Sequence, residues 1–125
     1  MRERSERPEY KIQCAFVAYL EARGWLVERI VGMAFQSGLP DLFVAHPKWG
    51  QRWVEIKNPE RYSFTKRQKQ KWPKWEAKGI GIWIVTSADQ AGYDVLFGPP
   101  NWRQFVKSGW HVPTLSEIDD LLDEI

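Results

Sequence analysis

The chain has a single cysteine, Cys14, and two widely separated histidines. One cysteine excludes an intrachain disulfide and any zinc site built from cysteines, and it is typical of a reducing compartment. Neither His46 nor His111 has a second ligand at a spacing that suits zinc. We therefore expect neither histidine to be catalytic, and His46 falls in a predicted turn.

Long apolar runs are also missing. No stretch approaches the length needed to span a membrane, and the charged N-terminus lacks the apolar segment of a signal peptide. No repeat or low-complexity segment is visible. We expect one cytoplasmic domain over residues 1–125, with residues 1–7 disordered, a core over 8–87 and a C-terminal extension over 88–125.

The net charge of +2 is too small to indicate nucleic-acid binding by itself. Its distribution is more informative, because residues 57–78 contain eight Lys or Arg against two acids. Residues 116–125 contain five acids and no base. This asymmetry predicts a basic face and an acidic tail.

Two apolar runs dominate the middle of the chain, one over 38–45 and one over 51–57. The turn-forming residues 46–50 between them predict a β-hairpin. Each run carries one carboxylate, Asp41 and Glu55. Strand alternation puts Glu55 and Lys57 on one face, and pairing of the hairpin would bring Asp41 beside Glu55.

Two neighbouring carboxylates repel each other and favour a shared cation. Their hard oxygen atoms suit Mg2+, which is held by one or two carboxylates together with substrate phosphate. Lys57 beside them could orient a water or stabilise charge on the phosphate. The alternative is a surface hairpin with an ordinary Glu–Lys pair.

Before the hairpin, helical spacing predicts a helix from Pro8 to Arg23, followed by a strand over 25–30. Glu9 and Gln13 share one face of this helix. That face could turn toward the carboxylates, although spacing alone favours the interpretation of both residues as solvated helix polars.

After the hairpin, Ser63 or Thr65 can cap a helix over 66–78, with a kink or break expected at Pro73 near Trp72. The apolar run 81–86 predicts a buried strand joined by an α/β crossover. Further predictions are a short helix opening at 87–90, an edge strand over 93–97, a short helix from Asn101 to residue 107 and an amphipathic helix over 116–125.

These motifs resemble the PD-(D/E)XK nuclease superfamily. The residues that carry the resemblance are Pro40-Asp41 and Glu55-Ile56-Lys57 within an α-β-β-β-α-β order. The flanking residues 9–13, 38–42 and 64–68 look like the VRR-NUC branch, although its Val-Arg-Arg run is missing. The resemblance covers residues 9 to about 87 and implies a restriction-endonuclease-like α/β fold with a central mixed sheet flanked by helices.

The resemblance also implies roles for individual residues. Asp41 and Glu55, with the Ile56 carbonyl, would ligate Mg2+ or Mn2+, and Lys57 would orient or activate the attacking water. Glu9 would bind a second metal or its water, with Glu6 and Gln13 as competitors for that place. Gln68 would hold the site geometry or the scissile phosphate.

The activity implied by the resemblance is phosphodiester hydrolysis of DNA, often structured DNA such as flaps or junctions. A small stand-alone nuclease of this kind suggests a phage or mobile-element origin, acting in the host cytoplasm. One alternative is a Holliday-junction resolvase, which needs a two-fold dimer. Another is a catalytically silent nucleic-acid-binding or assembly module.

Two further groups of residues have alternative interpretations. The tryptophans at positions 72, 75, 102 and 110 could stack on exposed bases, but we favour core or interface positions. Basic residues after the suspected site could be ordinary solvated charges, but we expect them to follow DNA phosphates. They are Lys66, Arg67, Lys69, Lys71 and Lys74.

Overall fold

The computed structural model describes residues 7–30 and 38–106. The elements follow the predicted α-β-β-β-α-β order, which is confirmed. They are α1 (Pro8–Glu21), β1 (Leu26–Arg29), β2 (Leu42–His46), β3 (Gly50–Ile56), α2 (Lys66–Ala77) and β4 (Ile82–Val85). A short helix α3 (Gln90–Asp94) and two 3-10 turns, Val95–Phe97 and Trp102–Phe105, follow.

The four strands form one mixed sheet in the order β1-β2-β3-β4. The pairs β1–β2 and β2–β3 are antiparallel, whereas β3 and β4 are parallel. A parallel pair needs a crossover connection, and α2 supplies it. In the hairpin register Leu42 faces Val54, so the next residues outward, Asp41 and Glu55, fall opposite each other.

A separate apolar core covers each face of the sheet. The core on the α1 side includes Phe16, Leu20, Val44, Val54 and Leu96. The core on the α2 side is built from Trp72, Ile82, Ile84 and Trp102. Because strand residues alternate between the two faces, Glu55 lies on the α2 side and is covered by that helix.

The predicted edge strand over 93–97 is wrong. These residues form the end of α3 and a 3-10 turn. The side chain of Asp89 accepts a hydrogen bond from the Gly92 nitrogen at 3.0 Å and caps α3. This agrees with the prediction that a short helix opens at 87–90. Helix formation then turns Leu96 into the core, where it is fully buried.

The predicted break at Pro73 is also absent, since α2 continues through this residue to Ala77. Its start is fixed by a capping box between Thr65 and Gln68. Trp72 and Pro73 are both buried. Packing on the core therefore outweighs the loss of one helical hydrogen bond at proline.

Asn101 does not cap the turn that follows it. Its side chain bonds to both backbone groups of Ile84, accepting from the nitrogen at 2.6 Å and donating to the oxygen at 3.0 Å.

The predicted helix over 116–125, Trp110, and the loop residues 32–37 lie outside the described residues. No helix in the described ranges is both long enough and apolar enough to cross a membrane.

Candidate active site

The carboxylates of Asp41 and Glu55 meet where the hairpin ladder ends. The Asp41 nitrogen donates to Glu55 Oε1 at 3.2 Å, and the Ile56 nitrogen donates to Asp41 Oδ2 at 2.8 Å. Each side chain thus accepts from the backbone of the opposite strand. The predicted juxtaposition of the two carboxylates is confirmed.

Lys57 lies on the same face as Glu55, as strand alternation predicted. Its Nζ is 3.0 Å from Glu55 Oε2 and donates to the Ser63 carbonyl at 2.6 Å. The ammonium also lies 4.9 Å from the centre of the Phe64 ring. Both Glu55 and Lys57 are about 95% buried, so an ordinary surface Glu–Lys pair is excluded.

Gln68 connects the start of α2 to this pair. Its Nε2 donates to Glu55 Oε2 at 2.8 Å, while its Oε1 accepts from the Thr65 nitrogen at 3.0 Å. The side chain is buried. One amide therefore both caps the helix and fixes the orientation of the Glu55 carboxylate.

Burial dominates the electrostatics of the two acids. It raises the pKa of Glu55 from 4.5 to about 8, and the nearby charge of Asp41 adds to the effect while Lys57 opposes it. Burial also raises the pKa of Asp41, against the hydrogen bond from the Ile56 nitrogen. Both carboxyl groups are thus harder to ionise than in water.

A polar cavity of about 320 Å³ opens beside Asp41. It is lined by Glu9, Gln13 and Tyr10 of α1 and by residues of the loop after β3. Glu9 Oε1 also accepts from the Asn58 nitrogen at 3.3 Å. The structure therefore brings both Glu9 and Gln13 to the site, while Glu6 lies outside the described residues.

The donor set of this cavity suits a hard divalent cation. Asp41, Glu9 and Ile56 line it, and Glu55 lies next to Asp41 without lining the cavity itself. No group of three or more His, Cys, Asp or Glu side chains gathers around a possible ion within residues 7–30 and 38–106. Mg2+ nevertheless needs only one or two carboxylates when water and phosphate complete its coordination.

The residues predicted to contact DNA phosphates lie on α2, and this role stays a prediction. Lys66, Arg67 and Lys69 are exposed, and Lys71 and Lys74 are half-buried. The core interpretation of the tryptophans holds for Trp72 and Trp102, which are buried and pack against each other with centroids 6.0 Å apart. Trp75 is half-buried and packs on Trp53.

Two arginines at the cavity were not among the predicted site residues. Arg7 and Arg61 line it together with Asp41 and Glu9. Arg61 also lines a second cavity with Glu9, Tyr62 and Ser63. Arg61 belongs to the basic run after β3, so the sequence did contain a signal for it. The direction of its side chain, however, depends on how the loop folds back.

The arrangement of strands and site was compared with known proteins. One solved structure, titled VRR_NUC domain, superposes with a TM-score of 0.59 at 24% sequence identity. The match covers 72% of this chain and 95% of that chain. The fold is that of a VRR_NUC domain. No family model and no curated protein matches the chain.

The likeness to the VRR_NUC domain therefore concerns the fold, and any chemistry depends on the side chains of this chain. The core elements of the fold are all within the described residues. In this chain the ionisable groups at the ends of β2 and β3 are the candidates for reactive chemistry.

Proposed function

We propose that the chain is a divalent-metal-dependent endonuclease of the PD-(D/E)XK superfamily that hydrolyses phosphodiester bonds in DNA, with branched, flap or junction DNA as its preferred substrate. The observation that carries this proposal is the contact of Asp41 with Glu55 at the end of the hairpin. Lys57 and Gln68 both hold the same Glu55 oxygen. The VRR_NUC-like fold supports the same activity.

Asp41, Glu55 and the Ile56 carbonyl would hold Mg2+ or Mn2+. Such an ion, when bound, would polarise a phosphoryl oxygen and offset the charge that develops on it. The side chains supply the orientation. Glu55 is fixed by Gln68 and Lys57, whereas Asp41 is half-buried and faces the cavity.

In the proposed reaction, water adds to phosphorus and one P–O ester bond breaks, giving a phosphate monoester and an alcohol. An ammonium has three N–H donors, and two of those of Lys57 reach Ser63 and Glu55. The third N–H donor of Lys57 would then bind a water or a phosphate oxygen. Glu9 would hold a second water or ion at the rim.

Arg61 and Arg7 would bind phosphates beside the scissile bond, and the basic residues of α2 would contact the strand further along. Guanidinium groups suit this purpose because they pair with two phosphate oxygens at once. An extended basic surface next to a small cavity favours a polymer over a free nucleotide.

The test is cleavage of labelled branched and linear DNA in Mg2+ and in EDTA. We expect Asp41→Asn and Glu55→Gln to lose about a thousandfold or more in rate, as for groups that stabilise transition-state charge. Glu60→Gln is the matched control, because it removes one exposed acid from the neighbouring loop.

Equal cleavage by the wild type and both site variants would contradict the proposal. DNA binding without any cleavage, and without heat on Mg2+ titration, would instead favour the catalytically silent module. The resolvase alternative needs a dimer, so sedimentation that shows only monomer at micromolar concentration would exclude it.

A further inference from the structure

The turn end of the β2–β3 hairpin carries a closed ring of aromatic contacts. Trp49 packs on Phe97 and Phe97 on Tyr93, both with centroids 5.0 Å apart. Tyr93 contacts Trp25 at 6.4 Å, Trp25 contacts His46 at 5.2 Å, and His46 returns to Trp49 at 6.5 Å. We call these five residues the turn-end cluster.

Burial is uneven across the turn-end cluster. Trp25 is only 3% exposed and forms its floor. Trp49 and Phe97 are 40% and 42% exposed, although they touch each other. Trp49 and Phe97 therefore present two adjacent, partly exposed aromatic rings at the turn end of the hairpin.

The exposed rings are held rigidly. The Arg52 Nε donates to the Leu96 carbonyl at 3.0 Å, and the Trp83 Nε1 donates to the Gly98 carbonyl at 3.0 Å. These bonds fix the backbone on both sides of Phe97. The Lys48 nitrogen donates to His46 Nδ1 at 3.1 Å and fixes the turn that carries Trp49.

Cations accompany the aromatic rings. The Lys48 ammonium lies 4.7 Å from the Trp49 ring centre, and the Arg52 guanidinium lies 5.0 Å from that of Trp83. Two carboxylates of α3 lie nearby, and both accept hydrogen bonds within the helix, where Asp89 caps the N-terminus and Asp94 accepts from Gln90. Aromatic faces beside cations are the usual means of binding single-stranded nucleic acid.

We propose that Trp49 and Phe97 form a stacking site for unpaired bases, with Lys48 and Arg52 contacting the phosphates of the same strand. This rests on the proposed function only for its class of ligand, a nucleic acid. The strand β3 has seven residues and spans about 20 Å from the turn to the site at about 3.3 Å per residue. The stacking site is thus separate from the proposed point of cleavage.

The experiment measures binding of a labelled oligothymidylate and of a blunt duplex of equal length by fluorescence anisotropy in EDTA. We expect Trp49→Leu and Phe97→Leu each to weaken single-strand binding about tenfold, as expected for loss of one stacked base, and to leave duplex binding unchanged. Leucine keeps an apolar side chain at each position, which protects folding.

Leu26→Ala is the matched control. Leu26 is 55% exposed, but strand alternation places it on the sheet face opposite Trp25. Wild-type protein that does not bind the oligothymidylate would overturn the inference, and so would leucine variants that bind it as tightly as the wild type. A protein that binds single strands through Trp49 but cleaves nothing would refute the proposed function alone.

Discussion

The two ends of the β2–β3 hairpin differ in opposite ways from the usual distribution, in which charged residues are exposed and large apolar residues are buried. At the strand end, the charged groups of Glu55 and Lys57 are removed from water. At the turn end, Trp49 and Phe97 are left in water although they are apolar. Charged residues are seldom buried unless paired, and Glu55 and Lys57 are paired with each other.

The difference follows from what covers each end. Helix α2 crosses the strand end and closes over Glu55 through Gln68. At the turn end, the 3-10 segment of Phe97 packs on Trp49 and leaves both rings partly exposed. One rigid element can therefore carry a reactive site at one end and a stacking surface at the other.

The largest expected difference between the two ends is the cost of removing a cation. At a pH above about 8, where the carboxyl group of Glu55 is ionised, Lys57→Met should destabilise the protein by about 3–5 kcal/mol, because it leaves that charge buried without its partner. Lys48→Met removes only an exposed cation–aromatic contact and should cost about 0.5–1 kcal/mol. Urea unfolding in EDTA measures both.

Methionine is nearly as long as lysine, so each substitution removes the charge and keeps most of the apolar contacts of the side chain. Similar losses of stability for the two substitutions would show that Glu55 is not a desolvated anion in the folded protein. They would also remove the electrostatic distinction between the ends of the hairpin.

Each end of the hairpin has one glycine with a positive φ, so the backbone at the two ends can be compared by substitution. Gly38 and Gly50 have nearly the same φ, 88° and 87°. A Cβ at Gly38 would lie 2.8 Å from the Cβ of Arg67, whereas at Gly50 the nearest atom is Arg52 Nη1 at 3.6 Å. Strain at positive φ of about 1–2 kcal/mol is common to both, and overpacking at Gly38 adds about 1–3 kcal/mol.

Gly38→Ala should therefore cost about 2–5 kcal/mol, the sum of positive-φ strain and overpacking. Gly50→Ala should cost about 1–2 kcal/mol, because strain alone applies there. The measurement is the free energy of unfolding from urea titration at a single pH. Equal costs would mean that the segment before Asp41 can move away from α2 freely. Gly38 also accepts a hydrogen bond from Trp72 Nε1 at 2.8 Å, so such movement would break a buried contact.

The hairpin and the order of elements were predictable because their signals are local. Alternation along the strands and the turn residues between them set the register that brings Asp41 to Glu55. The segment 93–97 was not predictable in the same way, since its pattern suits either a strand or a helix. The side chain of Asp89 decides between them by capping α3.

The site was predictable in its residue types and less so in its surroundings. Sequence alternation put Lys57 beside Glu55, but it gave no indication that both would be buried. That burial depends on α2 and on the loop that brings the Ser63 carbonyl to Lys57. The same fold-back of the loop carries Arg61 to the cavity, which no local pattern encodes.

An effect is also expected on the pH dependence of stability, measured in EDTA. The pKa of Glu55 is raised in the folded protein from 4.5 to about 8, so between these values the folded state binds more protons than the unfolded state. This contribution to stability is complete below pH 4.5 and is lost as the pH rises through about 8.

Glu55→Gln should flatten this part of the curve, because an amide does not titrate. The shift of Asp41 is in the same direction, so some slope should persist in the variant. Stability that rises with pH across the window in the wild type would contradict the buried state of Glu55.

The smallest expected effect concerns the exposed Arg61 at the cavity rim. Replacing it with alanine removes one phosphate contact and should reduce the slope of log K against log salt for DNA binding by about one. Binding is measured in EDTA for both single-stranded and duplex DNA. A phosphate contact reads no bases, so the change should be equal for the two ligands, whereas Trp49→Leu should affect the single strand alone. An effect of Arg61→Ala on one ligand only would mean that the two ends of the hairpin do not divide their roles between phosphates and bases.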